Sequence, residues 1–267
     1  MEKGFADIRW RERSVRIEFQ RIAADSPDAP LIVFLHEGLG SVAMWKDFPQ
    51  RVCAATACQG LVYSRPGYGQ SSPRPADEAW DTDFMHQQAH EVLPALLSAL
   101  QIDPLARPLV LLGHSDGGSI ALLYAARFPA SVQGCIVMAP HTFVEPMCVA
   151  AIEEARQAYL GTALPQRLAR YHADPDSAFW GWNRIWLRPE FQQWNIDAEV
   201  ARIDKPLLAI QGENDEYGSL EQIERLGRNT PHTTVLALPN CGHSPHRDQE
   251  EAVISAIVSF MQSAIPN

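Results

Sequence analysis

The 267-residue sequence has no apolar run approaching the roughly 18 residues that a membrane-spanning helix needs. Lys/Arg-rich stretches are also missing. With 22 basic against 32 acidic side chains, the formal net charge is −10. A chain without a basic face cannot neutralise a phosphate backbone, so no nucleic-acid partner is expected. Cysteine is scarce: five residues, odd in number, scattered, and without a C-x-x-C pair. That excludes a disulfide framework and fits a reduced, cytoplasmic setting, with the thiols acting as small core fillers. The opening MEKGFADIRWRERSVRIEF is charged throughout and lacks the apolar centre of a signal peptide. No internal repeat or low-complexity tract is present. A membrane partner is therefore not expected either.

What remains is an ordinary globular composition, 46% apolar and 20% charged, enough to build a substantial core. Ile8, Trp10, Val15, Ile17 and Phe19 alternate with charged residues and predict a half-solvated hairpin at a sheet edge. Short, almost wholly apolar runs follow at Leu31–Leu35, Leu61–Tyr63, Leu109–Leu112, Cys135–Met138, Leu207–Ile210 and Val235–Leu238. Strands without polar alternation are buried on both faces, as in a parallel sheet. Helical patterns separate them, over Asp83–Leu100, Ser119–Phe128 and Glu251–Met261. This alternation predicts an α/β fold: a mostly parallel central sheet of about eight strands with helices on both faces.

One stretch interrupts the alternation. Residues 142–202 show no strand pattern, and four of the seven tryptophans fall between Trp180 and Trp194. The segment is expected to be a helical insertion after the sixth strand. It either forms a small core of its own or covers an apolar substrate site as a lid, and both can hold. The expected organisation is a core of 1–141 and 203–267 with a cap of 142–202.

The chemistry concentrates in the loops that follow the strands. Pro108-Leu-Val-Leu-Leu-Gly113-His-Ser115-Asp-Gly117-Gly reads as a buried strand, a G-x-S-x-G turn and a helix. A turn this sharp strains the serine backbone and leaves no room for side chains beside it, hence the glycines. It presents the Ser115 hydroxyl above the sheet and leaves the Asp116 N–H free at a helix start, aimed at a developing oxyanion. A serine nucleophile needs a base, and His243 lies in the loop after the last apolar strand. The base needs an orienting carboxylate, and the loop after the preceding strand offers Asp215, flanked by Glu213 and Glu216 as rivals. The order Ser115, Asp215, His243 fits a catalytic triad. A second oxyanion donor is expected in Phe34-Leu-His36-Glu37-Gly38-Leu39-Gly40-Ser41: first Gly38, then Leu39, with His36 shaping the loop. The pair His243/His246 lacks further ligands at metal spacing, and His86/His90 reads as surface or helix–helix contact histidines, so no metal is expected.

Together these residues resemble the α/β-hydrolase fold family over almost the whole chain. His36-Glu-Gly-Leu-Gly-Ser resembles the oxyanion loop, and Ser64-Arg-Pro-Gly67-Tyr-Gly69-Gln-Ser71 the D-x-x-G-x-G-x-S loop. Gly113-His-Ser-Asp-Gly117 resembles the nucleophile elbow, Gly212-Glu-Asn-Asp215 the acid loop and Gly242-His243 the histidine loop. The resemblance selects Asp215, three residues past Gly212, over Glu213 and Glu216. Two positions depart from the pattern. Glu37 replaces the usual glycine and is expected to point away from the hole and bond locally. Ser64 replaces the common aspartate.

The resemblance implies a cofactor-independent serine hydrolase. Members with an aspartate nucleophile, the haloalkane dehalogenases and epoxide hydrolases, are excluded by Ser115. Carboxylesterases, lactonases, thioesterases and carbon–carbon hydrolases of aromatic ring-fission products stay open, as does a non-catalytic binding member. The elbow also resembles esterases of amino-acid esters, in which Asp116 would meet a substrate cation. Helix N-terminal stabilisation is the simpler role. The Trp-rich insertion suggests a small apolar or aromatic substrate. Trp180, Trp182, Trp186, Tyr217, His36, Glu37 and Glu145 are candidate pocket residues, with a helix-capping role as the alternative for Glu145. A monomer or homodimer is expected.

Overall fold

The computed structural model describes residues 1–75 and 77–264. The last three positions of the expected core segment 203–267 lie outside the described residues. Eight strands form one sheet: β1 (Glu2–Trp10), β2 (Arg13–Ile22), β3 (Leu31–Leu35), β4 (Gln59–Tyr63), β5 (Leu109–His114), β6 (Val132–Met138), β7 (Leu207–Gly212) and β8 (Thr233–Leu238). Their order is β1-β2-β4-β3-β5-β6-β7-β8. The β1–β2 hairpin is antiparallel and pairs antiparallel with β4, while β3 to β8 run parallel. Arg11 and Glu12 at its turn both have positive φ, 48° and 60°, and such a turn matches the twist of its strands.

Helices cover both faces. The helices are α1 (Phe48–Thr56), α2 (Phe84–Gln87), α3 (Leu93–Ala99), α4 (Asp116–Arg127), α5 (Pro146–Gly161), α6 (Leu164–Leu168), α7 (Pro175–Trp186), α8 (Asp197–Val200), α9 (Glu221–Asn229), α10 (Pro245–Asp248) and α11 (Glu250–Ala264). The central strands are apolar on both sides. Ile32 and Phe34 of β3 face Val52 and Ile257 of α1 and α11, whereas Val33 and Leu35 face the side of α3 and α4. The expected helix over Asp83–Leu100 is present as α2 and α3 joined by a π-helical turn over Gln88–Val92. All five cysteines are buried and unpaired. His86 faces Glu199 of α8 and His90 packs on Phe128, the helix contacts expected of them.

One strand differs from expectation. Val235–Leu238 reads as buried on both faces, but β8 is an edge strand, and Val235 is 40% exposed. An apolar run of this length does not reveal how many neighbours a strand has.

The register sets up the site. Leu35 lies opposite Gly113, His114 opposite Met138, Met138 opposite Ile210, and Gly212 opposite Leu238. The carboxyl ends of five strands are therefore level, and the loops that follow them start side by side. The chain leaves β3 towards β4 on one side and places β5 on the other, the arrangement that opens a crevice at strand ends. Between β5 and α4, Ser115 adopts φ 54°, ψ −122°. A Cβ on Gly113 would lie 2.1 Å from the Gly117 carbonyl oxygen, and one on Gly117 would lie 2.0 Å from that of Leu35. The elbow is therefore pressed against both its own helix and the end of β3.

Between β6 and β7 the chain forms only helices and turns, apart from one isolated bridge, Phe143 to Asn195. α7 begins with Pro175 in its first turn and Asp174 accepting the Ser177 N–H at 2.8 Å, two strong start signals. Tyr159 of α5 stacks on Phe179 of α7 at 3.8 Å between ring centroids, so the segment does have an aromatic core of its own. Its last helix, α8, packs on α4 and α9.

Gly117→Ala is expected to lower the unfolding free energy by about 2 kcal/mol or more in urea titration. Gly161→Ala, where nothing lies within 4 Å of the added carbon, should change it by less than about 1 kcal/mol.

Candidate active site

Three residues that are far apart in sequence meet above the level strand ends. His243 Nε2 lies 2.9 Å from Ser115 Oγ, and its Nδ1 lies 2.8 and 2.9 Å from the two Asp215 oxygens. Asp215 is fixed in turn. Its Oδ1 accepts the N–H of Tyr217 at 2.8 Å and of Gly218 at 3.3 Å, and Oδ2 accepts Gln211 Nε2 at 2.7 Å. Burial pushes the Asp215 carboxyl up, but the hydrogen bond and charge of His243 and the Tyr217 N–H bring it below the usual carboxylate range. Burial pushes His243 down. The Asp215 hydrogen bond and charge, with Glu37 and Glu216, outweigh it and raise its pKa above the ordinary histidine value. With Asp215 accepting from Nδ1–H, Nε2 is left as the acceptor facing the serine.

The loop after β3, the candidate oxyanion loop, is shaped by a residue that its sequence motif does not single out. Arg65, 1% exposed, donates from Nη1 to the His36 carbonyl at 2.8 Å and from Nη2 to the Glu37 carbonyl at 2.9 Å. The Glu37 carbonyl also accepts His36 Nδ1–H at 2.7 Å and the Gly40 N–H at 3.1 Å. The peptide joining Glu37 to Gly38 is planar and trans, so its N–H points opposite to its carbonyl. Four donors on two carbonyls therefore fix the direction of the Gly38 N–H. Neither this N–H nor that of Asp116, first in α4, has an acceptor among the described residues. His36 is the loop-shaping residue expected: the Arg65 N–H donates to its Nε2 at 3.0 Å, and burial holds its pKa far below the ordinary value. His172, from the segment between α6 and α7, donates to the Leu39 carbonyl at 3.0 Å and accepts the Gly69 N–H at 2.9 Å.

The remaining candidates divide. Trp182 lies on the oxyanion loop: a Cβ on Gly38 would be 2.3 Å from its Nε1. Trp186 packs on His141, with centroids 4.9 Å apart, and donates to Asp116 Oδ1 at 3.2 Å. Tyr217 packs on the His243 ring at 4.6 Å. Trp180 sits elsewhere on α7. It contacts Tyr159 and Arg184 and lines a surface hollow with Arg74 and Trp80. Positions 182 and 186 share one helical face, and 180 and 184 another. Glu145 is also corrected. Its carboxylate accepts from the Ser219 N–H at 3.0 Å, Ser219 Oγ at 2.7 Å and Gln222 Nε2 at 2.8 Å, joining α5 to the start of α9. Its carboxylate is taken up by these partners and does not cap its own helix.

Asp116 is not free to meet a substrate cation. It is wholly buried, with Arg65 Nη2 3.7 Å from Oδ2, and burial pushes its pKa up to about 6. Glu37, expected to bond locally, instead pairs across the fold with Arg247 at 3.2 Å. His246 packs against the stacked rings of Trp45 and Phe48. A hollow of about 810 Å³, lined by Arg21, Gln59 and Arg107, lies at the opposite, amino-terminal end of the parallel strands and includes none of these residues. Among the described residues, no helix is long and apolar enough to cross a membrane.

Comparison with known proteins agrees with this geometry. Residues 32–256 match the model of the alpha/beta hydrolase family. The chain belongs to the alpha/beta hydrolase family. Among curated members of this family, it is 25% identical over 259 residues to the sn-1-specific diacylglycerol lipase ABHD11 of Mus musculus, covering 87% of this chain and 81% of the relative. It is 22% identical to 2-hydroxy-6-oxo-6-phenylhexa-2,4-dienoate hydrolase of Burkholderia cepacia, with 89% of each chain covered. Among solved structures, the alpha/beta hydrolase MGS-M2 from a deep-sea metagenome library superposes with a TM-score of 0.76 at 19% identity, covering 98% of this chain and 99% of that one. The enol-lactonase of Burkholderia xenovorans LB400 superposes with a TM-score of 0.70 at 18% identity, covering 93% and 97%. These structural likenesses show the shared fold.

NMR titration of the His243 imidazole is expected to give a midpoint above the ordinary histidine value of about 6.5. Asp215→Asn should bring that midpoint down, because it removes the largest upward influence.

Proposed function

We propose that this hydrolase cleaves a carboxylic ester, lactone or thioester of a small apolar or aromatic substrate through an acyl-enzyme. The observation that carries the reading is the continuous chain from Asp215 through His243 to Ser115, with hydrogen-bond distances of 2.8 and 2.9 Å. Ser115 Oγ attacks the carbonyl carbon as its proton passes to His243 Nε2. Asp215 holds the imidazole in the required tautomer and stabilises the imidazolium. The N–H groups of Asp116 and Gly38 receive the oxyanion. The intermediate then collapses, the leaving oxygen or sulfur takes the proton from His243, and the acyl group stays on Ser115. Water then attacks the acyl carbon, giving its proton to His243, and the acid is released as Ser115 regains a proton. None of these steps draws on a metal or organic cofactor.

Residues 142–202 act as the cap in this reading. Trp182 on Gly38, Trp186 on Asp116 and His172 on Leu39 support it, since each touches a residue of the oxyanion hole or its loop. Arg65 serves as the positioning residue of the hole.

A second reading is hydrolysis of a carbon–carbon bond in an aromatic ring-fission product. It is favoured by the end-to-end likeness to the Burkholderia cepacia dienoate hydrolase. It uses the same three residues on a different bond.

The test is hydrolysis of p-nitrophenyl acetate and butyrate. Wild type should turn over, and Ser115→Ala should lose at least ~10³-fold in kcat while keeping its fold. Near-normal turnover by the variant would sink the triad. No ester turnover, with loss of an enol-dione chromophore instead, would select the second reading. Arg65→Met frees the peptide between Glu37 and Gly38. It is expected to lower kcat by about 10²-fold, the usual loss for one oxyanion donor, with a smaller change in KM.

A further inference from the structure

Glu37 follows His36 in the loop after β3, and its side chain is built into the loops around His243. Its Oε1 accepts from Arg247 Nη2 at 3.2 Å, and its Oε2 lies 3.6 Å from His114 Nδ1. His114, wholly buried beside the nucleophile, donates from Nε2 to the backbone carbonyl of His243 at 2.6 Å. The His243 N–H donates to Glu216 Oε2 at 3.3 Å. The loop after β3 is thus joined to the histidine loop through Arg247 on α10, while His114, with its one proton on Nε2, braces the His243 carbonyl and only packs beside the Glu37 carboxylate. Neither contact touches the reacting atoms.

We infer that Glu37 is a positioning residue for His243. It fastens the histidine loop to the oxyanion loop and holds a second carboxylate charge within reach of the imidazole. The inference rests on His243 being the base.

The charges around the imidazole come from several elements. Asp215 and Glu216 follow β7, Glu37 follows β3, and Asp116 opens α4. The rings of His114, His141 and His246 and the Tyr217 phenol also surround it, with Arg247 on Glu37. Burial pushes His114 down to about 4, so this ring is neutral at pH 7 and acts as a hydrogen-bonding strut. Burial pushes Glu37 up, but His114, Arg247, His243 and Arg65 together bring its carboxyl below the usual range, and it stays ionised. An ionised Glu37 favours the imidazolium, so it raises the pH at which His243 gives up its proton. The neutral base required by the free enzyme then appears at higher pH. Removing the carboxylate shifts the acid limb of activity down. Removing Arg247 takes away a nearby positive charge and shifts it up.

The test is the rate at which a fluorophosphonate probe labels Ser115 as a function of pH, beside NMR titration of the His243 imidazole. The proteins are wild type, Glu37→Gln, Glu37→Asp and Arg247→Met. Glu37→Gln should move both midpoints to lower pH, and Arg247→Met should move both to higher pH. Glu37→Asp keeps the charge and should stay near wild type in midpoint with a lower plateau rate. A purely structural tie would change plateau rates and leave the midpoints in place, so unmoved midpoints in Glu37→Gln and Arg247→Met overturn the inference. A wild type that takes no label overturns the serine-hydrolase reading instead. The imidazole titration then decides on Glu37 alone.

Discussion

A guanidinium removed from water must direct its N–H groups at acceptors, and the site of this protein is organised around one that does. Arg65 grips the carbonyls of His36 and Glu37 and lies beside the Asp116 carboxylate. Those contacts orient the oxyanion loop, connect it to the elbow and, through Trp186 on Asp116, reach the helical segment between β6 and β7. The level strand ends place the loops together, and Arg65 sets which way their peptide groups face. Backbone donors fixed in advance need no reorganisation as charge develops, which is the main source of catalytic power in such sites.

The fold was legible because its signals are local. Apolar runs without alternation marked the parallel strands, and Gly113, Ser115 and Gly117, framed by an apolar strand and a helical pattern, marked a strand-to-helix elbow. The strand loops then carried Asp215 and His243 in the right order. What escaped were pairings across the sequence. Arg247 meets Glu37 210 residues away, and no spacing rule reaches that far. Arg65 looked like an ordinary loop residue. An arginine at the end of an apolar strand, inside a glycine-rich turn, is the signal that was available. Trp180 was grouped with Trp182 and Trp186 because composition was read without helical phase. Glu145 was misplaced because its partners, Ser219 and Gln222, lie at the start of a helix more than 70 residues further on.

The relatives span lipases, a lactonase and a dienoate hydrolase at identities of 25% or less. A scaffold that places a serine, a histidine and two N–H groups is indifferent to which bond lies between them. Discrimination falls to whatever lines the space above. In this chain the side chains packed against the triad and the loop after β3 include the indoles of Trp182 and Trp186 on α7 and the phenol of Tyr217 after β7.

Trp182 has a further property. Its indole already lies against Gly38, in the place that a side chain there would occupy. The ring thus stands in for a side chain at position 38: the loop after β3 and α7 are fitted to one another there, and any side chain larger than hydrogen at that position would have to push the helix away.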